Sequence, residues 1–219
     1  VRVTKHGPIF LESEDLTKGL AFSYTSTFGP NLGFQSLIPQ MTAGSIADAD
    51  EAMRDWVDPC NNYLFVDVDG DIKYLNRGKV PLRSMDNAWL PVPGWDGDHE
   101  WSGYIPFDQL PRTTNPENGF IVTANNRIVD EDYPHYIALE YAPEYRARRI
   151  IERLLELGNA TVEDMTSIHS EKTSIPALIY LEILKQIVPS GQIANNAKKI
   201  LVEWNGSMDS DSVAATIYS

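Results

Sequence analysis

The chain is poor in several residue classes, and each shortage excludes something. Cys60 is its only cysteine, so no internal disulfide framework and no cysteine-based metal cluster can form. A single thiol is compatible both with a cytosolic protein and with a large exported enzyme that needs no staples. Positive charge is scarce: 18 Lys and Arg stand against 31 Asp and Glu, a formal net charge of −13. Nucleic acid is excluded as a partner, because phosphate binding needs a basic stripe. No apolar run reaches the roughly 18 residues of a membrane helix, and the opening VRVTKHGPIF lacks the charged and apolar regions of a signal peptide. Glycine-rich phosphate loops, HExxH and GxSxG are absent. The four histidines, His6, His99, His135 and His169, are far apart and show no metal spacing; each reads as a surface or internally satisfied side chain.

What remains is an ordinary globular composition, 42% apolar and 22% charged over 219 residues, enough for one domain with a lobe. The first half is rich in strands and turns. Residues 2–10 and 19–26 read as extended, and SLIPQM and IADADEAMRDW, between Phe34 and Trp56, read as two helical stretches. NYLFVDV and DIKYLNRG flank Asp69-Gly70, a strong hairpin signal that predicts a tight turn joining 63–68 to 71–76. The run Asp67-Val68-Asp69-Gly70-Asp71 resembles a calcium loop only superficially, since its glycine is too early and position twelve is Gly78. Residues 78–118 are rich in proline and glycine and contain Trp89, Trp95 and Trp101. They read as a long irregular excursion held by buried aromatics, not as a polar linker. GFIVTA then reads as a buried strand.

The second half is helical. The segment APEYRARRIIERLLELG carries an apolar stripe with Gly158 as its stop; Thr161 with Glu163 or Asp164 starts a helix, and 173–188 and 191–204 add two more. The closing SDSVAATIYS reads as a helix just starting, with Ser210 or Ser212 as N-cap. With no initiating methionine and a strand-like opening, the chain reads as a fragment or a processed chain. Its first strand is expected to pair with a strand outside these residues, and the apolar faces of its sheet to be incompletely covered. The organisation expected is α+β, with 1–142 strand-rich and 143–219 helical, in the same domain or as a lobe.

Asn125-Asn126 follows the apolar run directly. A side-chain amide at the end of a buried strand can point its NH2 at a developing oxyanion, but two asparagines at a strand end are also ordinary turn formers. Local sequence alone favours the turn.

The order of the segments bears on that choice. Thr4-Lys5-His6-Gly7-Pro8 resembles the T-x-H-G-P corner of the penicillin amidase family. Asn62-Tyr63-Leu64-Phe65-Val66-Asp67, followed by Gly70-Asp71-Ile72 and by Gly78-Lys79-Val80-Pro81-Leu82-Arg83, resembles that family's hairpin. Pro91-Val92-Pro93-Gly94-Trp95-Asp96-Gly97, Trp101-Ser102-Gly103-Tyr104-Ile105-Pro106 and Leu110-Pro111 are similar to its proline-rich segment. Asn115-Pro116, Gly119-Phe120-Ile121 and Thr123-Ala124-Asn125-Asn126 resemble its paired-asparagine element; Tyr145-Arg146-Ala147 opens the next helix as the family does, and Trp204-Asn205-Gly206 resembles its late W-D/N-G. None of these is specific alone, but they occur in family order over nearly the whole chain. The family contains penicillin, cephalosporin and acyl-homoserine-lactone acylases.

The resemblance implies an internal piece of the large subunit of an N-terminal-nucleophile hydrolase, whose complete fold is a four-layer αββα sandwich. A precursor cuts itself and exposes a serine whose own α-amino group, with an ordinary pKa of about 8, acts as base in its attack on a linear amide. Asn125 then stands as the side-chain donor of the oxyanion hole, and is expected buried at a strand end facing a cleft edge. Arg146 stands where the family has an arginine that orders the active site. The resemblance further implies a small-molecule amide substrate, partner chains from the same precursor, no nucleic acid and no membrane, with a location outside the cytoplasm favoured. No cofactor is expected. Calcium is open for the complete enzyme, because the matching positions here, near Ala88 and Tyr136, carry no carboxylate. Val1 has no nucleophilic atom, so the nucleophile, the backbone oxyanion donor and most of the acyl pocket are expected upstream, and the isolated chain is expected to be inactive. An acyl-homoserine-lactone acylase, or a non-catalytic binding or assembly module on the same scaffold, stands as the alternative.

Overall fold

A computed structural model describes all residues, Val1–Ser219. It divides into two compact units. One comprises residues 1–123 and 127–141, the other residues 124–126 and 142–219.

The first unit holds every strand. β1 (Val3–Thr4), β2 (Gly7–Glu12) and β3 (Gly19–Ala21) form an antiparallel sheet in that order. Within the chain β1 pairs with β2, Val3 opposite Pro8 and Thr4 opposite Gly7, and as the edge of this sheet it keeps its other side open to the expected outside strand. Gly7 makes this corner possible. Its φ is +113°, and a Cβ there would lie 2.2 Å from the Phe22 carbonyl oxygen.

Two short helices follow, α1 (Leu37–Met41) and α2 (Ile46–Glu51), the second capped by the Ser45 hydroxyl, which accepts from Asp48 N. β4 (Asn61–Val66), β5 (Ile72–Arg77) and β6 (Arg112–Thr114) form a second antiparallel sheet, β4 and β5 in register from Asn61–Arg77 to Val66–Ile72. The hairpin is where it was expected, but its loop is one residue longer. Asp67 and Asp71 still pair, and Val68-Asp69-Gly70 turns the chain with Gly70 at φ +90°. This is the three-residue hairpin, which needs a left-handed residue in third place. The Asp67 carboxylate accepts from the backbone N–H of Asp69, Asp71 and Ile46. Burial alone would raise its pKa; these donors outweigh that and hold it below the ordinary carboxylate value.

The inner face of this hairpin builds the core: Phe65 and Leu75 pack with Ile46, Met53, Val80, Ile105 and Leu110. Beside the core lies a buried ionic knot. Asp50 Oδ2 accepts from Lys73 Nζ at 2.6 Å and from Arg112 Nη1 at 2.9 Å.

Two sequence expectations fail here. Trp89 and Trp95 are exposed, so they do not hold the excursion over 78–118. Backbone pairing holds it instead: Ile105 N donates to Val80 O, Leu82 and the 102–103 segment exchange bonds, and the His6 ring meets Gly94 O at 2.9 Å. Only Trp101 packs, against Phe28 at 4.7 Å. GFIVTA is not a strand, because no neighbouring strand supplies a ladder for it.

The second unit is helical. Its helices are α3 (Tyr145–Leu155), α4 (Val162–His169), α5 (Ile175–Gln186), α6 (Gln192–Val202) and α7 (Val213–Tyr218). Thr161 and Asp164 form a complete capping box, and Ser174 and Ser212 cap α5 and α7. Ala177 and Leu181 of α5 form the buried stripe, one turn apart. No helix is long and apolar enough to cross a membrane.

Candidate active site

Both residues singled out from the sequence belong to the second unit, and they touch. The chain passes through Ala124-Asn125-Asn126 in a tight corner. Asn125 has φ +62°, a left-handed conformation that asparagine tolerates better than most residues. Asn126 folds back and accepts from the Ala124 N–H at 3.0 Å, while the Ala142 N–H donates to Asn125 O at 2.8 Å. The two amides therefore divide the work. Asn126 is the turn former, which leaves the Asn125 side chain available for something else.

Arg146 is the second residue of α3. A cation in the first turn opposes the helix dipole, so it needs its own acceptors. It has two: Nη2 donates to Ala124 O at 2.7 Å and to Asn125 Oδ1 at 3.0 Å. The guanidinium thereby fixes which way round the Asn125 amide lies, since only its oxygen can face a cation. The Nδ2 end makes no hydrogen bond within the chain. Polarised by the arginine on its oxygen, it is a strengthened donor.

Asn125 is exposed, against the expectation of burial at a strand end. The preceding residues form no strand, and the corner is held by the hydrogen bonds to Ala124, Asn125 and Asn126 beside the buried Ala124.

The rest of α3 carries a feature that was not foreseen. Arg149 Nη2 donates to Glu171 Oε2 at 3.2 Å, and Arg153 Nη1 donates to the same oxygen. The other oxygen, Oε1, accepts from Thr173 Oγ1 at 2.5 Å and Thr173 N at 3.2 Å. The Glu171 side chain retains 16% of its accessible surface. Its pKa is held at about 2, first by the Thr173 hydroxyl and then, against the opposing effect of burial, by Arg153, the Thr173 N–H and Arg149. The sequence carried no clear signal for it: arginines at 146, 149 and 153 share one helix face, but Arg149 and Arg153 also pair with Glu152 and Glu156 three residues on in the same helix.

No group of three or more His, Cys, Asp or Glu side chains comes together as a metal site. At the positions matched to the family's calcium, Ala88 has no side-chain donor, and Tyr136 offers a buried hydroxyl without a hydrogen-bond partner. Neither position supplies a carboxylate of the kind calcium takes.

The architecture matches that of a thermostable penicillin G acylase from Alcaligenes faecalis. The TM-score is 0.76 with 21% identity, covering 95% of this chain and 38% of that one. The fold is thus that of the matched part of a penicillin G acylase, a mixed helix-and-sheet scaffold. The penicillin amidase family model matches residues 1–219, and the chain belongs to that family. Penicillin acylase 2 proenzyme of Pseudomonas sp. (strain SE83) is 38% identical over 222 residues, 99% of this chain and 28% of that protein. Acyl-homoserine lactone acylase QuiP of Pseudomonas fluorescens (strain Pf0-1) is 24% identical over 98% of the chain and 28% of its own length. Penicillin G acylase of Escherichia coli is 33% identical over 66% of the chain. The chain thus spans little more than a quarter of the first two relatives.

Proposed function

We propose that this chain is the portion of an amide-hydrolysing acylase that supplies one oxyanion donor, Asn125, and the arginine that orients it. The observation that carries the reading is the Arg146–Asn125 contact at 3.0 Å, which leaves the Nδ2 group as an outward-facing donor. In such a reaction a nucleophilic hydroxyl, carried elsewhere in the protein, adds to the carbonyl carbon of a linear amide. Negative charge moves to the carbonyl oxygen, and a fixed N–H donor stabilises it more than it stabilises the starting carbonyl. Collapse of the intermediate expels the amine and leaves an acyl ester, which water then hydrolyses. Exposure of Asn125 within this chain is consistent with a group that meets its nucleophile on other segments of the protein. We extend the reading to a precursor whose processed chains assemble around this piece, in line with the proenzyme among its relatives, and to a location outside the cytoplasm.

A penicillin-type amide is the first reading of the substrate, because the penicillin acylase 2 proenzyme is the more similar relative at 38% identity. A fatty-acyl homoserine lactone is the second, supported by QuiP proteins that align over most of the chain. The test uses the full-length precursor that carries this chain. After processing, the first residue of the large subunit is determined by mass spectrometry, and amine release is measured from both substrate types. A serine, threonine or cysteine there, with turnover of either amide, supports the enzyme. Another residue, with no turnover, makes the chain a non-catalytic module.

A further inference from the structure

On the face of α3 that aims Arg146, one and two turns further on, Arg149 and Arg153 pair with Glu152 and Glu156 of their own helix and share one carboxylate outside it, Glu171. Residues 146, 149 and 153 lie within about 60° of one another around the helix. Arg146 points to the Ala124–Asn125 corner, and Arg149 and Arg153 point to Glu171. A guanidinium stands roughly 8 Å from the helix axis, so turning the helix by about 10° moves it more than 1 Å, enough to break its hydrogen bonds. What fixes the rotation of α3 therefore fixes Arg146.

We propose that Glu171 is a positioning residue for the oxyanion donor, acting through α3 and Arg146 on the Asn125 amide. The proposal rests on the reading of Asn125 and Arg146 given above. Glu171 is suited to the task because it is itself immobilised. Thr173 holds Oε1, which leaves Oε2 for the two arginines. Its backbone opens a strap, 171–174, stitched to residues 206–209. Thr173 bridges to Ser207, Met208 N donates to Lys172 O, Ser174 N donates to Gly206 O, and Lys172 pairs with Asp209 at 3.1 Å. Gly206 lets the strap lie close: its φ is +81°, and a Cβ there would stand 2.8 Å from Leu178 Cδ2. The clamp reads α3 from a fixed frame and passes no charge to the substrate.

The experiment is a double-mutant cycle in the full-length processed enzyme, with Glu171→Gln and Arg146→Lys singly and together, reading kcat and KM. Glutamine keeps the shape and removes the charge. The expected result is a fall in kcat of about tenfold for Glu171→Gln with KM nearly unchanged, as for a small misplacement of a catalytic group. In the Arg146→Lys background the same change should lower kcat less than about twofold, because groups acting through one another are not additive. Glu171→Asp, which keeps the charge, should recover part of the rate. If Glu171→Gln does not fold, Arg153→Gln takes its place in the cycle. Fully additive losses, or unchanged kcat in the clamp variant, would overturn the proposal while leaving the site intact. Unchanged turnover in Arg146→Lys and in Asn125→Gly would overturn the reading of the site itself, and the proposal with it.

Discussion

The Arg146 guanidinium holds the amide oxygen of Asn125 at 3.0 Å, and so decides which end of that amide is free. The backbone beneath it is left-handed, φ +62°. A test of the amide must therefore spare the backbone. Alanine there would add strain of roughly 1–2 kcal/mol to the loss of the donor, whereas glycine adopts that φ freely. In the full-length enzyme, Asn125→Gly should lower the acylation rate about a hundredfold or more with the melting temperature nearly unchanged. Single-turnover kinetics decide it, and an unaltered rate would refute the assignment.

The Glu171 clamp has a pH signature in this chain alone. Its carboxyl titrates at about 2, against an ordinary value of 4.5. A depressed folded pKa means that the stabilisation is complete above the ordinary value and fades as pH falls through the folded one. Thermal melts from about pH 6 to about pH 3 should show the wild type losing stability on acidification, and Glu171→Gln losing less, because that variant has nothing left to protonate at this site. Parallel curves would show that Glu171 is not held in this way.

How much of this was legible follows from the range of the forces. The capping box of Thr161 and Asp164, the Ser212 cap and the Asp-Gly hairpin are local, three or four residues long, and the sequence shows them directly. The partnership of Asn125 with Arg146 spans 21 residues and came from a family resemblance. Glu171 lies a further 25 residues on and matches no motif, and the arginines it holds already have Glu152 and Glu156 three residues on, so nothing local pointed towards it. Trp89 and Trp95 misled for a related reason. Aromatic content signals burial somewhere, but which tryptophans are covered depends on pairings far along the chain.

The Asp50 knot makes a separate stability prediction. Its carboxylate faces Lys73, with 13% of its side chain exposed, and Arg112, with 23%. Removing one member of a buried ionic set leaves the others charged without compensation, which is worse than never having had them. Asp50→Ala should destabilise the protein by about 3 kcal/mol or more. Urea unfolding measures it, and a loss under about 1 kcal/mol would show that Lys73 and Arg112 find water instead.

The last prediction concerns association. In the first unit, Phe10, Leu11 and Phe22 of the first sheet and its flank are exposed, as are Leu64 and Val66 on β4. β4 is also an edge: only β5 pairs with it, so half of its backbone N–H and C=O groups point away from the ladder. In the second unit, Tyr180 and Ile183 of α5 lie open, as do Ile187 and Val188 just after it. Scattered apolar residues are normal on a surface. Apolar groups on a strand with a free edge are different, because that edge offers hydrogen bonds and hydrophobic contact together. The net charge of −13 opposes association, but salt screens that repulsion within about 10 Å at 0.1 M ionic strength. The isolated chain should therefore run above 24.6 kDa in light scattering at moderate salt. Charged substitutions on the outward face of β4, such as Leu64→Lys with Val66→Glu, should return it to monomer size. A monodisperse, cooperatively melting monomer without those substitutions would show that these surfaces need no partner, and would favour the autonomous binding module over a piece of a larger enzyme.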